Sequence, residues 1–150
     1  MFQVNEVVQL EDKLYRVLLT TNSHAVWIDI EDQKAFPDIV ELSQLEALLL
    51  QEKATRVDDP YGYIINLLPE PNSKEATIRD RNYQIIKPLI DDTNFYVKKI
   101  RAKHISDILE AGDISRPYIY KLIRRYWQRG QTPNALLPDY KNSGGKGQKR

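Results

Sequence analysis

At 150 residues, with 41% hydrophobic and 29% charged residues, the chain has an ordinary soluble composition and the length of one medium domain or two small ones. It contains no cysteine, which excludes disulfides and thiolate metal sites, and no apolar run approaches the ~20 residues of a membrane span. The net charge of +1 conceals a split: residues 1–72 hold 5 Lys+Arg against 13 Asp+Glu, a net of −8, whereas residues 73–150 hold 17 against 8, a net of +9. Two modules are expected, of which only the second suits a polyanion.

The acidic module, residues 1–68, reads as β-rich. Residues 2–10 mix apolar and polar positions in a strand-like way, Glu11-Asp12-Lys13 suits a turn, and residues 14–21 and 25–30 are rich in β-branched and aromatic residues joined through Asn22-Ser23. Residues 31–37 form a polar connection and 37–42 a further short strand. The pattern Ser43-Gln44-Leu45-Glu46 is a capping box, opening a short helix to about Lys53 that turns Leu45, Leu48 and Leu49 inward. Residues 54–57 return as a strand before Asp58-Asp59-Pro60. Residues 61–68 are expected to run extended along this module, with a linker at 69–73.

The second module, residues 74–130, reads as three helices. Residues 74–92 place Ile78, Ile85, Ile86, Leu89 and Ile90 on one broad face, with a kink or split expected at Pro88 because proline removes a helical hydrogen bond. Residues 97–111 turn Val97, Ile100, Ile105, Ile108 and Leu109 inward. The last helix begins at Ser115, an N-cap whose hydroxyl accepts from the first turn, with Pro117 just inside the start. Ile119, Leu122, Ile123 and Tyr126 follow at helical spacing. No carboxylate occurs between Ile114 and Pro138, so the cations of this stretch lack local partners.

The spacing of Ile108, Ile114, Ile119 and Leu122 is that of a helix-turn-helix, although Leu109 stands where a small residue is usual and Gly112 lies one position early. A helix with one face buried and cations, amides and phenols on the other suits a DNA major groove. The candidate DNA-binding residues are Ser115, Arg116, Tyr118, Tyr120, Lys121, Arg124, Arg125, Gln128 and Arg129. Of these, Tyr120, Lys121 and Arg124 are the expected base readers, and Arg125 and Arg129 the expected phosphate contacts. Residues 131–150 are expected to be an extended basic tail, with Lys141 and Lys146 tracking phosphates or a minor groove.

Tyr120–Gly145, together with the N-terminal FQVNEVV and the internal RVDDPY, resembles the N-terminal region of TnsB, the DDE-type transposase subunit of cut-and-paste transposons resembling Tn-seven, including CRISPR-associated ones. The resemblance implies an α+β chain that binds double-stranded DNA at the repeated sites of transposon ends, within a bacterial, nucleoid-associated cytoplasmic protein. It also implies other transposition proteins as partners. In that family the catalytic carboxylates belong to a later domain. Asp139 and the adjacent Asp58-Asp59 before a proline fit linker and turn better than a two-metal scaffold, so no catalytic residue, metal or cofactor is assigned. His24 and His104 have no ligand spacing. A helix-turn-helix transcription regulator, or a module docking protein partners, are the competing readings.

Overall fold

The computed structural model describes residues 1–139. Five strands, β1 (Val7–Leu10), β2 (Lys13–Thr20), β3 (His24–Asp29), β4 (Asp38–Glu41) and β5 (Ala54–Val57), form one antiparallel sheet in the order β4-β3-β2-β1-β5. Leu10 pairs with Lys13, so the expected turn is a two-residue hairpin loop, with Glu11 at φ 57. The helix α1 (Leu42–Leu50) sits between β4 and β5. Its start differs from the expected capping box. Glu41 is the N-cap, without a side-chain bond, and Ser43 lies inside the first turn. The strand β4 runs directly into the helix, and the Leu42 N–H, a first-turn donor without a helical partner, donates to Ser23 O at 2.9 Å.

Then follow α2 (Lys74–Ile90), α3 (Lys98–Ala111) and α4 (Arg116–Gln128), giving the expected α+β architecture. Pro88 does not split α2. It lies two residues from the helix end, where few backbone bonds depend on it. Residues 61–68 are not extended. They make turns and a 3-10 helix, Ile64–Asn66, with Ile64 buried. This segment docks on a second 3-10 helix, Pro133–Leu136, where an extended tail was expected. Asn134 joins the two: its Nδ2 donates to the carbonyls of Ile64 and Leu67, each at 2.9 Å, and its Oδ1 accepts from Arg79 of α2 at 2.9 Å.

The apolar residues fall into two clusters on opposite faces of the sheet. Val8, Val17, Ala25 and Trp27 pack with Phe2, Ala54 and Leu45 of α1. Val7, Leu18, Val26, Ile28 and Ile30 pack instead with Ile86, Leu89, Ile105, Ile119, Leu122, Ile123, Trp127 and Leu136 of the helical half. Successive side chains alternate, so Val17 enters one cluster and Leu18 the other. The acidic and basic halves therefore share a core. Exposing those five side chains would forfeit on the order of 10 kcal/mol at roughly 1.5–3 each, comparable with the whole stability of a typical domain.

Candidate nucleic-acid interface

The helix α4 forms for the reasons its sequence supplies. Ser115 Oγ accepts from the Tyr118 N–H at 3.3 Å, and Pro117 lies in the first turn. Ile119, Leu122 and Ile123 are buried as expected. The fourth core residue is Trp127, 1% exposed, rather than the half-buried Tyr126, whose phenol burial pushes up to about 12. Trp127 meets Phe95 at 5.3 Å between ring centroids. With α3 and the turn through residues 112–115, α4 completes a helix-turn-helix.

The outward face of α4 divides into two parts. Near the N-terminus, Arg116, Pro117 and Lys121 are exposed, and neither Arg116 nor Lys121 has an ion-pair partner among the described residues. Towards the C-terminus, the same face is held by the segment after β3. Gln128 Nε2 donates to Asp29 O at 2.9 Å and to Asp32 O at 2.7 Å, and Arg124 Nε donates to Ala35 O at 2.8 Å. The Phe36 ring receives two guanidiniums, Arg124 at 4.5 Å and the buried Arg101 of α3 at 4.8 Å, with Tyr120 edge-on at 5.7 Å. Burial pulls the Arg101 and Arg124 pKa values down from the usual arginine range.

The structure places the expected DNA-binding residues in different settings. Tyr120, Arg124 and Gln128 contact the acidic half of the chain rather than standing free at an open face. Tyr118 is turned inward, its hydroxyl donating to Asn82 Oδ1 of α2 at 2.9 Å, and Ser115 is engaged as the cap. Arg125 and Arg129 both pair with Asp139, and Arg129 also lies over the Tyr61 ring at 5.2 Å. Lys141 and Lys146 lie outside the described residues. The lysines Lys98, Lys99 and Lys103, exposed on α3, were not singled out from the sequence. Their signal was present as basic residues on the first helix of the motif; among the described residues only Lys103 of these has an ion-pair partner, Asp107 at 3.6 Å.

A buried arginine fixes the last turn of α4 to the sheet. Arg16 of β2 is fully buried. Its Nη1 donates to Asn5 O at 2.8 Å and Asp59 Oδ2 at 2.7 Å, and its Nη2 to Asp59 Oδ1 at 2.8 Å. Its Nε and Nη2 also reach Gln128 O at 3.3 and 3.2 Å. A cation at the carbonyl end of a helix opposes the negative end of the helix dipole. Burial acts to raise the Asp59 pKa, but the Arg16 hydrogen bonds and charge, with the Tyr61 N–H, hold it below the usual carboxylate value.

Two family descriptions match the chain, the TnsB N-terminal SH3-like domain over residues 1–60 and the TnsB second domain over residues 79–140. The Escherichia coli Transposon Tn7 transposition protein TnsB is 37% identical over an alignment that covers 100% of this chain. The chain belongs to the TnsB family. It spans 21% of the length of that curated relative. In this TnsB-family chain the two matched regions meet at α4. Residues 1–60 supply the five strands, Arg16 and the segment holding Arg124 and Gln128, and residues 79–140 supply the helix-turn-helix. Among the described residues no helix is long and apolar enough to cross a membrane, and no cluster of His, Asp and Glu could hold a metal ion.

Proposed function

We propose that this chain is a sequence-specific double-stranded DNA-binding module for transposon-end repeats, forming the N-terminal part of a cut-and-paste transposase whose catalytic domain lies outside these 150 residues. The observation that carries this reading is the division of α4: its N-terminal half is open and cationic, while its C-terminal half is anchored to the sheet. Helix-turn-helix proteins read base edges chiefly with the first residues of the second helix. Arg116 and Lys121 are accordingly the base-reading candidates, displacing Tyr120 and Arg124. Lys98, Lys99 and Lys103 on the first helix are placed to hold the phosphate backbone. Glu31 and Asp32, on the segment flanking α4, oppose phosphates on that side. Family membership supports the same reading, since the Escherichia coli relative is named as a transposition protein.

The test is binding of full-length variants to transposon-end and scrambled duplexes, with thermal melts as a folding control. Arg116→Ala or Lys121→Ala should relax discrimination at one or two base pairs by roughly 1–3 kcal/mol. Lys99→Ala should weaken binding to both duplexes alike and flatten the log–log salt slope by about 0.9. Retention of wild-type affinity and preference by both folded α4 variants would refute α4 as the reading helix.

A further inference from the structure

On the outward side of α4, Gln33, Lys121, Arg125, Arg129 and Asp139 line an open cleft of about 350 Å³. Its charge is unbalanced: with Arg124, which also lines it, four residues are cationic and one anionic. One oxygen, Asp139 Oδ1, accepts a hydrogen bond from Arg129 Nη1 at 2.9 Å and is also the ion-pair partner of Arg125 Nη2. Arg125 is largely buried, its side chain 12% exposed, and neither its Nε nor its Nη2 has a hydrogen-bond acceptor among the described residues. Arginine side chains present planar forks of donors that match the paired oxygens of a phosphate. Here two guanidiniums converge on one oxygen of one carboxylate, and Lys121 adds a further cation that has no ion-pair partner among the described residues.

We propose that this cleft is the seat of one backbone phosphodiester of the bound duplex, and that Asp139 occupies it in the free protein as an internal stand-in that the phosphate displaces. The proposal rests on the DNA-binding reading above and adds a site to it. A phosphodiester carries the same single negative charge as Asp139 but offers two non-bridging oxygens to the two guanidiniums. The exchange is easy on the carboxylate side: Asp139 is 57% exposed, so its oxygens return to water when displaced. Burial acts to raise the Asp139 pKa, but the hydrogen bond from Arg129 and the charges of Arg125 and Arg129 hold it below the usual value, so the stand-in is anionic at neutral pH. The end of α4 contributes a partial negative charge of about one half that opposes any anion, and the four cations outweigh it. The cleft lies along the same helix face as Lys121, so a duplex seated on the open half of α4 brings a strand past it.

The test is a mutant cycle on the full chain with random-sequence duplex, read as affinity against salt. Asp139→Asn should tighten binding by roughly two- to fivefold at about 0.1 M salt, as expected for releasing a half-exposed ion pair. Arg129→Gln should flatten the log–log salt slope by about 0.9. In the Arg129→Gln background the gain from Asp139→Asn should shrink, and with Arg125→Gln added it should vanish. Melts establish that each variant is folded, and Arg129, the more exposed arginine, carries the cycle if Arg125→Gln is unstable. An equal gain in both backgrounds means a general charge effect and overturns the proposal, as does no gain in a folded Asp139→Asn. If Arg116→Ala and Lys121→Ala keep wild-type sequence preference while the cycle is non-additive, the phosphate seat stands and the reading helix does not. No measurable binding of the wild-type chain to any duplex overturns both.

Discussion

Replacing Asp59 by alanine tests whether the buried Arg16, which meets the end of α4, is held by its ion pair as described. Arg16 is fully buried, and two of its hydrogen bonds, at 2.7 and 2.8 Å, go to the Asp59 carboxylate. Removing one member of a buried ion pair leaves an uncompensated charge and typically destabilises by 3–5 kcal/mol. Arg16 retains the carbonyls of Asn5 and Gln128, and Asp59 is 29% exposed, so the lower end of that range applies, about 3 kcal/mol. For a chain of this size that is a fall in Tm of roughly 6–12 °C. The assay is urea and thermal unfolding followed by circular dichroism and tryptophan fluorescence. In an Arg16→Met background the same substitution should remove less than about 1 kcal/mol, because no buried charge remains to be stranded. The pH dependence has a fixed sign. The folded pKa of Asp59 is depressed, so its stabilisation is present above the unfolded value of 3.8 and is lost as pH falls through the folded one. The stability gap between wild type and Asp59→Ala should therefore be constant near neutrality and narrow below about pH 4. A loss under 1 kcal/mol at pH 7, or strict additivity with Arg16→Met, would refute the ion pair as what compensates the buried charge that meets the end of α4.

Ile119→Ala should destabilise by about 2–5 kcal/mol and Trp127→Ala by about 3–5, both by emptying core positions, whereas Tyr126→Ala should remove less; urea midpoints of the three variants check the order. Phe36→Ala removes the ring that receives Arg101 and Arg124 and should lower stability by about 1–2 kcal/mol. That substitution should also speed hydrogen exchange in the last turns of α4, and unchanged exchange there would count against the contact. Fragments 1–72 and 73–150 should each expose apolar surface and bind a hydrophobic dye, while the intact chain unfolds in one transition; two separate transitions at constant pH would show that the halves do not share a core.

The sequence by itself determined the elements whose causes are local. Helical spacing at Ile119, Leu122 and Ile123, the cap at Ser115, the β-branched and aromatic runs of β2 and β3 and the motif spacing through Ile108 and Ile114 all report on neighbours a few residues away, and each appears in the fold. The helix starts ahead of Ser43, at Leu42, whose N–H finds Ser23 O 19 residues earlier, so Ser43 falls inside the first turn. Trp127 displaced Tyr126 because period alone fixes a stripe of the helix, and the choice at its edge depends on what lies opposite, here Phe95. The unbroken run Ala25-Val26-Trp27-Ile28 carried the signal that both sheet faces are covered, since a strand with one solvated face alternates polar with apolar residues. Only the tertiary structure decided which outward side chains of α4 remain open. Arg124 meets Ala35, Gln128 meets Asp29 and Asp32, and Arg16 reaches the end of α4, across separations of 89, 99, 96 and 112 residues. A polar face leaves no periodic trace of the distant backbone it will hydrogen-bond, because cations and amides satisfy water and a remote carbonyl equally well.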